Sequence, residues 1–202
     1  MPAFSEQSVT MSVREMIHGS AVAAILTNPR APDNPIIACN PAFERLTGYA
    51  ADEVIGRNCR LLAGIGTDPE ATDSLRTAIA ACRPVMVELL NYRRDGTPFR
   101  NAVMIAPLFD DQGDLEFFLG SQVEVDPQSS QAPNKAENRL AALSMRQREV
   151  LLAMAAGRSG KQIAFELGLT ERTIKMHRAA LVRALGVRSG IEAIRIAVEA
   201  GH

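Results

Sequence analysis

The sequence predicts an α+β domain, with a five-stranded antiparallel sheet and short helices, followed by an all-α domain of four helices that contains a helix-turn-helix. Three observations carry that expectation. Strand-type apolar runs alternate with short helical patches as far as residue 126, after which every periodic segment is helical. Between the two halves lies DPQSSQAPNKA, residues 126–136, whose prolines and small polar residues are linker chemistry. The charge divides at the same place. Residues 1–134 carry 10 Lys+Arg against 17 Asp+Glu, and residues 135–202 carry 12 against 6, although the whole chain has a net charge of -1. An acidic module joined to a basic one suits either a polyanionic partner or docking of one module on the other. The expected divisions are an N-terminal extension (1–19), the α+β domain (20–126), a linker (127–139) and the helical domain (140–202).

With 47% hydrophobic and 22% charged residues, the chain is in the range of ordinary globular proteins. It has no apolar run long enough to cross a bilayer and begins with no basic-then-apolar leader, so a cytoplasmic protein without a membrane partner is expected. Cys39, Cys59 and Cys82 match no disulfide framework or zinc spacing and are expected as free thiols. Absence of a nicotinamide-binding glycine pattern, a nucleophile triad and a metal cluster argues against an enzyme.

In chain order, a short helix is expected over residues 11–18. Strands are expected over 21–27 and 35–40, then helical patches over 41–46, 51–55 and 68–82. Longer strands follow over 85–94, 97–109 and 114–125, joined by Asp95-Gly96 and by Asp110-Asp111-Gln112-Gly113, both good hairpin chemistry. Successive strand residues face opposite sides of a sheet. Asn91 therefore shares a face with Val85, Val87 and Leu89; Asn101 with Phe99, Val103 and Ile105; and Gln122 with Phe118 and Gly120. An unpartnered buried amide costs about 1–3 kcal/mol, so three on one apolar face must satisfy one another or meet a flat ligand with donors and acceptors on its edge. Gly120 permits close approach there.

Gly56-Arg57-Asn58-Cys59-Arg60-Leu61-Leu62 adds a thiol between Asn and Arg, and Arg76 supplies a second guanidinium in the following helix. Two guanidinium groups suit a phosphate. The GRNCR motif resembles that of light-oxygen-voltage (LOV) domains, the flavin-binding branch of the PAS fold. The resemblance extends over residues 20–126, through Phe43, Thr47-Gly48-Tyr49, Asn91-Tyr92, Asp95-Gly96, Asn101 and Phe118-Leu119-Gly120-Ser121-Gln122. It implies that Cys59 is the thiol that bonds to flavin C4a in a photo-adduct, that Asn58 lies near the ribityl chain, and that Arg60 and Arg76 hold the phosphate. FMN is thereby favoured over FAD or riboflavin. By the same resemblance Asn91 and Asn101 bind the polar ring edge and Gln122 reaches O4 and N5. Ile25, Thr27, Ile36, Phe43, Leu62, Ile105 and Phe118 form the apolar walls. The chain departs from the family pattern at Leu61, usually Phe, and at Ala63, usually Gln, which removes one amide from the ribityl and phosphate end.

After the linker, Ser144-x-x-Gln147, Ser159-x-x-Gln162 and Ser189-x-x-Glu192 read as capping boxes. Helices are expected over 145–156, 160–167, 171–185 and 190–200. The second and third are separated by Gly168-Leu169-Thr170, the length of a helix-turn-helix turn. In the third, Ile174, Leu181 and Leu185 face inward with His177 beside them, whereas Arg172, Thr173, Lys175, Met176, Ala179 and Arg183 are the candidates for contact with double-stranded DNA in the major groove. The block 143–201 resembles the LuxR-type helix-turn-helix through Leu143-Ser144-Met145-Arg146-Gln147-Arg148-Glu149, Ser159-Gly160-Lys161-Gln162-Ile163-Ala164 and Thr173-Ile174-Lys175-Met176-His177. Gly160 and Gln162 depart from the usual Asn and Glu. The resemblance implies sequence-specific binding by homodimers.

The last helix has two apolar stripes, Ile191, Ile194 and Val198 against Ala193, Ile196 and Ala200, with Glu192, Arg195 and Glu199 between them. A helix apolar on two sides must bury both. One stripe is expected on the helix-turn-helix core and the other, over 190–200, against the sheet until light frees it for dimerisation. A blue-light-responsive transcription regulator is the leading expectation. The alternative keeps the flavin but makes the switch a redox sensor without photochemistry.

Overall fold

The computed structural model describes Glu15, residues 17–125 and residues 133–202. Most of the helix expected over residues 11–18 and the first part of the expected linker lie outside the described residues. The first module runs β1 (Ala23–Thr27), β2 (Ile36–Cys39), α1 (Pro41–Thr47), α2 (Ala51–Val54), a 3-10 turn (Cys59–Leu62), α3 (Pro69–Ala80), β3 (Val85–Tyr92), β4 (Pro98–Phe109) and β5 (Leu115–Glu124). Its five strands form one antiparallel sheet in the order β2-β1-β5-β4-β3, so the last strand lies at the centre.

Local chemistry accounts for these elements. Asn40 is wholly buried and caps α1 by accepting from Phe43 N at 2.9 Å. The same oxygen accepts from Ala24 N at 3.0 Å, and its NH₂ donates to Ile17 O and Val22 O, so one amide ties the entry chain, β1 and α1 together. Asp68 caps α3 ahead of Pro69, whose missing N–H costs nothing in the first turn. In the β4–β5 hairpin, Asp110 Oδ1 accepts from the amides of Gln112 and Asp114 at 2.9 and 3.0 Å, closing the turn.

The second module contains α4 (Pro133–Ala141), α5 (Met145–Ala155), α6 (Gly160–Glu166), α7 (Glu171–Ala184) and α8 (Gly190–Glu199). The first of these corrects the sequence expectation: part of the linker is a helix. Its polar composition conceals the spacing of Ala136, Leu140 and Leu143, all buried. Ser144 and Ser159 form the expected capping boxes. Ser189 caps α8 through Glu192 N, but the Glu192 carboxylate reaches the Arg188 amide instead of closing the box.

Pairing divides the sheet into two faces. Ile25↔Gly120, Thr27↔Phe118, Val103↔Gln122 and Leu89↔Asn101 lie on one; Leu26↔Leu119 and Met104↔Ser121 lie on the other. Ala24, Leu26, Met104, Ala106, Phe117 and Leu119 on this second face share one apolar core with α5 and α8 residues, including Val150, Ile191 and Ile194. Both predicted stripes of α8 are buried except at Ala200, the partly exposed C-cap. Polar contacts rim the same junction. Arg195 Nη1 donates to Ser121 Oγ at 3.2 Å and Nη2 to Ala102 O at 2.9 Å. At the hairpin, Phe109 N donates to Gly157 O at 3.0 Å, Ser159 Oγ to Asp111 Oδ1 at 2.6 Å and Gln162 Nε2 to Asp110 O at 2.9 Å.

Candidate functional site

The face of the sheet turned away from α8 holds a cavity of about 80 Å³ lined by Ile25, Thr27, Asn34, Asn58, Cys59, Ile79, Val103, Ile105, Phe118, Gly120 and Gln122. Eight of these were expected from sequence; Asn34, Ile79 and Val103 were not. Val103 was recoverable from strand parity. Asn34 lies in the strap between β1 and β2, and Ile79 on α3, where no local pattern points inward. Ile36, Phe43 and Leu62 pack with Ile25 in a compact cluster behind the cavity instead of lining it.

The carboxamides are buried together. Asn101 Nδ2 donates to Asn91 Oδ1 at 2.8 Å, and Asn91 Nδ2 donates to the Leu62 carbonyl at 3.1 Å. Gln122 Nε2 lies 3.6 Å from Cys59 Sγ. Burial of the Cys59 thiol pushes its pKa up to about 11, with the Gln122 contact acting in the opposite sense. It is a neutral thiol at ordinary pH.

Four buried side-chain oxygens find no protein partner: Thr27 Oγ1, Asn34 Oδ1, Asn101 Oδ1 and Gln122 Oε1. Three of them line the cavity and the fourth belongs to the neighbouring amide pair. Buried acceptors left unpaired in a native fold call for a ligand or water. A flat heterocycle with N–H and hydroxyl donors matches them, and Gly120 leaves the sheet open to it: a Cβ there would stand 2.8 Å from Ile25 Cγ1. Sites for ligands of that size hold roughly 300–1,000 Å³, so entry requires retreat of the parts of the wall outside the sheet, around Asn58, Cys59 and Ile79.

The expected phosphate pair is otherwise engaged. Arg60 pairs with Asp33, and Arg76 with Asp73 on its own helix at 2.7 Å, with both arginine side chains largely exposed. Each guanidinium would have to exchange a carboxylate for a phosphate.

In the second module Ile174, Leu181 and Leu185 are buried as expected. Arg172, Lys175, Met176, Ala179 and Arg183 are exposed on α7; Thr173 is half-buried, with its hydroxyl 2.9 Å from Thr170 Oγ1. The basic face of α7 is thus open, whereas α8 is covered by the sheet. Arg195, read from sequence as part of a charged strip, is instead seated on the sheet. Among the described residues no group of His, Cys, Asp and Glu could hold a metal ion, and no helix is long and apolar enough to cross a membrane.

Fold and site define a sensor module with a buried ligand cavity joined to a helix-turn-helix module. Residues 22–126 match the family model described as PAS domain, and residues 141–197 match that of bacterial regulatory proteins, luxR family. The chain belongs to the PAS-domain family, in its light-oxygen-voltage branch, and carries a LuxR-type DNA-binding domain after it. A flavin is the cofactor implied by that membership. Among relatives, a blue-light-activated histidine kinase 1 of Erythrobacter litoralis is 47% identical over 111 residues, covering 55% of this chain and 31% of that protein. A blue-light-activated histidine kinase of Brucella canis is 45% identical over 112 residues, 55% of this chain and 23% of its own. The chain therefore spans between about a quarter and a third of the length of these relatives. Among solved structures, the light state of the blue-light photoreceptor Aureochrome1 LOV is similar at 35% identity and TM-score 0.53, over 64% of this chain and 98% of that one. An RNA-binding light-oxygen-voltage receptor is similar at 36% identity and TM-score 0.54, over 62% and 35%.

Proposed function

We propose that this protein is a blue-light-responsive transcription regulator. In this reading FMN in the sensor cavity reports light to the helix-turn-helix through the sheet between them. The observation that carries the reading is the two-sided sheet, with Cys59, Gln122 and the unpartnered acceptors on one face and α8 packed on the other. Asn91 and Asn101 would hold the polar edge of the ring, Asn58 and Thr27 would approach the ribityl chain, and Arg60 and Arg76 would take the phosphate. When bound, the flavin would supply a light-excited electron acceptor, and Cys59 would supply both the sulfur and the proton for a reversible photo-adduct.

The side chains of this protein do the rest. Burial keeps Cys59 protonated, so its thiol carries the proton that must be delivered. Gln122 turns its NH₂ toward sulfur and holds a carbonyl without a partner; reversing the amide exchanges donor for acceptor beside N5. That reversal strains β5, loosens the seat of α8 and frees its second stripe to pair with another chain. The dimer then lays Arg172, Thr173, Lys175, Met176, Ala179 and Arg183 into successive major grooves. Exposure of α7 beside a covered α8 supports control through dimerisation instead of masking of the recognition surface. Oxidation of Cys59 as the redox signal loses ground, because burial raises the thiol pKa and keeps the sulfur protonated, the less reactive form.

The test is an absorption spectrum in darkness and after brief blue light, coupled to gel-shift titrations at several salt concentrations. Flavin absorbance should bleach and recover, Cys59→Ala should abolish bleaching with flavin still bound, and DNA affinity should follow the spectral state while weakening with salt. A protein that binds DNA equally in both spectral states refutes the proposal.

A further inference from the structure

Arg195 reaches from α8 into the junction, and its two bonds meet two different strands. Nη1 holds Ser121 Oγ on β5 and Nη2 holds the Ala102 carbonyl on β4. Register pairs Met104 with Ser121 and Ala102 with Val123, so the guanidinium fork spans the seam between the two central strands. Ser121 has no exposed surface. Glu88 and Glu199 act on the arginine through space, and burial lowers its pKa from the ordinary value. A charge withdrawn from water and held by neutral acceptors is sensitive to small changes in their positions, because its desolvation is offset only while the geometry is good.

Ser121 immediately precedes Gln122. On a pleated strand the two side chains point to opposite faces from adjacent Cα atoms. A rotation of β5 that accommodates a reversed Gln122 amide on the cavity side necessarily moves Ser121 Oγ on the α8 side.

We propose that Arg195 is the positioning residue through which the state of Gln122 reaches α8. Its bonds to Ser121 and Ala102 register α8 on the sheet when the amide is in one orientation and weaken when it is in the other. The assignment rests on the light-responsive reading above and adds to it the residue that couples cavity to helix. Coupling between two binding events is reciprocal: if light tightens DNA binding through Arg195, bound DNA must stabilise the illuminated state through Arg195.

The experiment uses full-length, flavin-loaded protein and a duplex selected from a random pool by the illuminated wild type. Arg195→Met keeps the apolar stem and removes both donors; Arg195→Lys keeps the charge and loses the fork. Wild type should bind the duplex more tightly in light, and the duplex should slow its absorbance recovery in darkness. In Arg195→Met the light-to-dark affinity ratio should fall roughly tenfold and recovery should no longer respond to the duplex, with Arg195→Lys between the two. Ser121→Ala, which alters the sheet side alone, should reproduce the loss and serves if Arg195→Met does not fold. A wild type indifferent to light overturns the underlying reading and this assignment with it. A responsive wild type beside Arg195→Met and Ser121→Ala variants with unchanged ratios and unchanged recovery overturns the assignment alone.

Discussion

Gly157, at the turn after α5, offers a direct measure of how firmly the two modules are held together. It has φ +80°, and a Cβ there would stand 2.2 Å from the carbonyl oxygen of Pro107 on β4 and 3.0 Å from Phe109 Cδ2. Gly186, after α7, has φ +64° but nothing within 4 Å of its hypothetical Cβ. Alanine at either position carries the left-handed penalty of about 1–2 kcal/mol. Only Gly157→Ala also drives the β4–β5 hairpin off the helical module. Opening that contact releases Phe109 N from Gly157 O, Gln162 from Asp110 O and Ser159 from the Asp111 carboxylate. Two neutral bonds at about 0.5–1.5 kcal/mol each and one to a charged acceptor at about 1.5–3 kcal/mol give roughly 2.5–6 kcal/mol. The equilibrium should move from docked to open by roughly fiftyfold or more, and dark DNA affinity should rise toward the illuminated value. Gly186→Ala should lose the same 1–2 kcal/mol in urea unfolding and keep wild-type dark affinity. Both variants binding DNA in darkness as the wild type does would mean that the hairpin contact does not restrain the helical module.

Two further outcomes follow from the cavity. The Cys59 thiol binds its proton more tightly in the folded protein, its pKa pushed up by burial to about 11 from the ordinary thiol value of 9.0, so its contribution to stability is complete below pH 9 and lost between pH 9 and about 11. Relative to Cys59→Ala, the wild type should therefore lose stability over that interval in alkaline unfolding, and parallel curves would show that the thiol is not desolvated. Asn34 Oδ1 lies unpartnered in the wall at the strap end of the cavity, so Asn34→Ala should weaken riboflavin and FMN roughly 2- to 12-fold and leave lumiflavin, which has no ribityl chain, unaffected in a fluorescence titration; equal losses for all three would place Asn34 at the ring instead.

The parts of this site legible in the sequence are those governed by alternation within one strand. Asn91, Asn101 and Gln122 could be assigned to one face because each is two residues from an apolar neighbour on its own strand. That Asn91 and Asn101 satisfy each other depends on the β3–β4 register, in which Asn91 lies opposite Phe99 and diagonal to Asn101. The position of β5 between β1 and β4 is likewise a long-range pairing with no local marker. Arg195 shows the limit most sharply. On a helical wheel it belongs to a charged strip fit for water, and its actual partners are 74 and 93 residues away. Arg60 and Arg76 differ in this respect: the Asp73 that engages Arg76 lies three residues away on the same helix and is legible in the sequence, whereas the Asp33 that engages Arg60 is a long-range partner. The helix over Pro133–Ala141 was hidden for a different reason: proline and polar residues at its start resemble linker, and only the sheet and α8 supply the apolar surface that makes Ala136 and Leu140 worth burying.

Magnitudes constrain how complete the switch can be. Moving a two-state equilibrium from 1:99 to 99:1 takes about 5.5 kcal/mol. Exchange of donor for acceptor at Gln122 is one neutral hydrogen bond, about 0.5–1.5 kcal/mol, and loss of the charged Arg195 contact adds about 1.5–3 kcal/mol. A combined shift near 3 kcal/mol carries the modules from about 12:1 docked to about 1:12. For a switch of that size the apolar core shared by the sheet and α8 cannot be so favourable that docking is overwhelming, and the desolvation cost of burying Arg195 is one term that keeps it near balance. Replacing that arginine with a well-packed apolar residue would remove the desolvation cost together with the signal, and hydrocarbon alone would hold the junction more tightly.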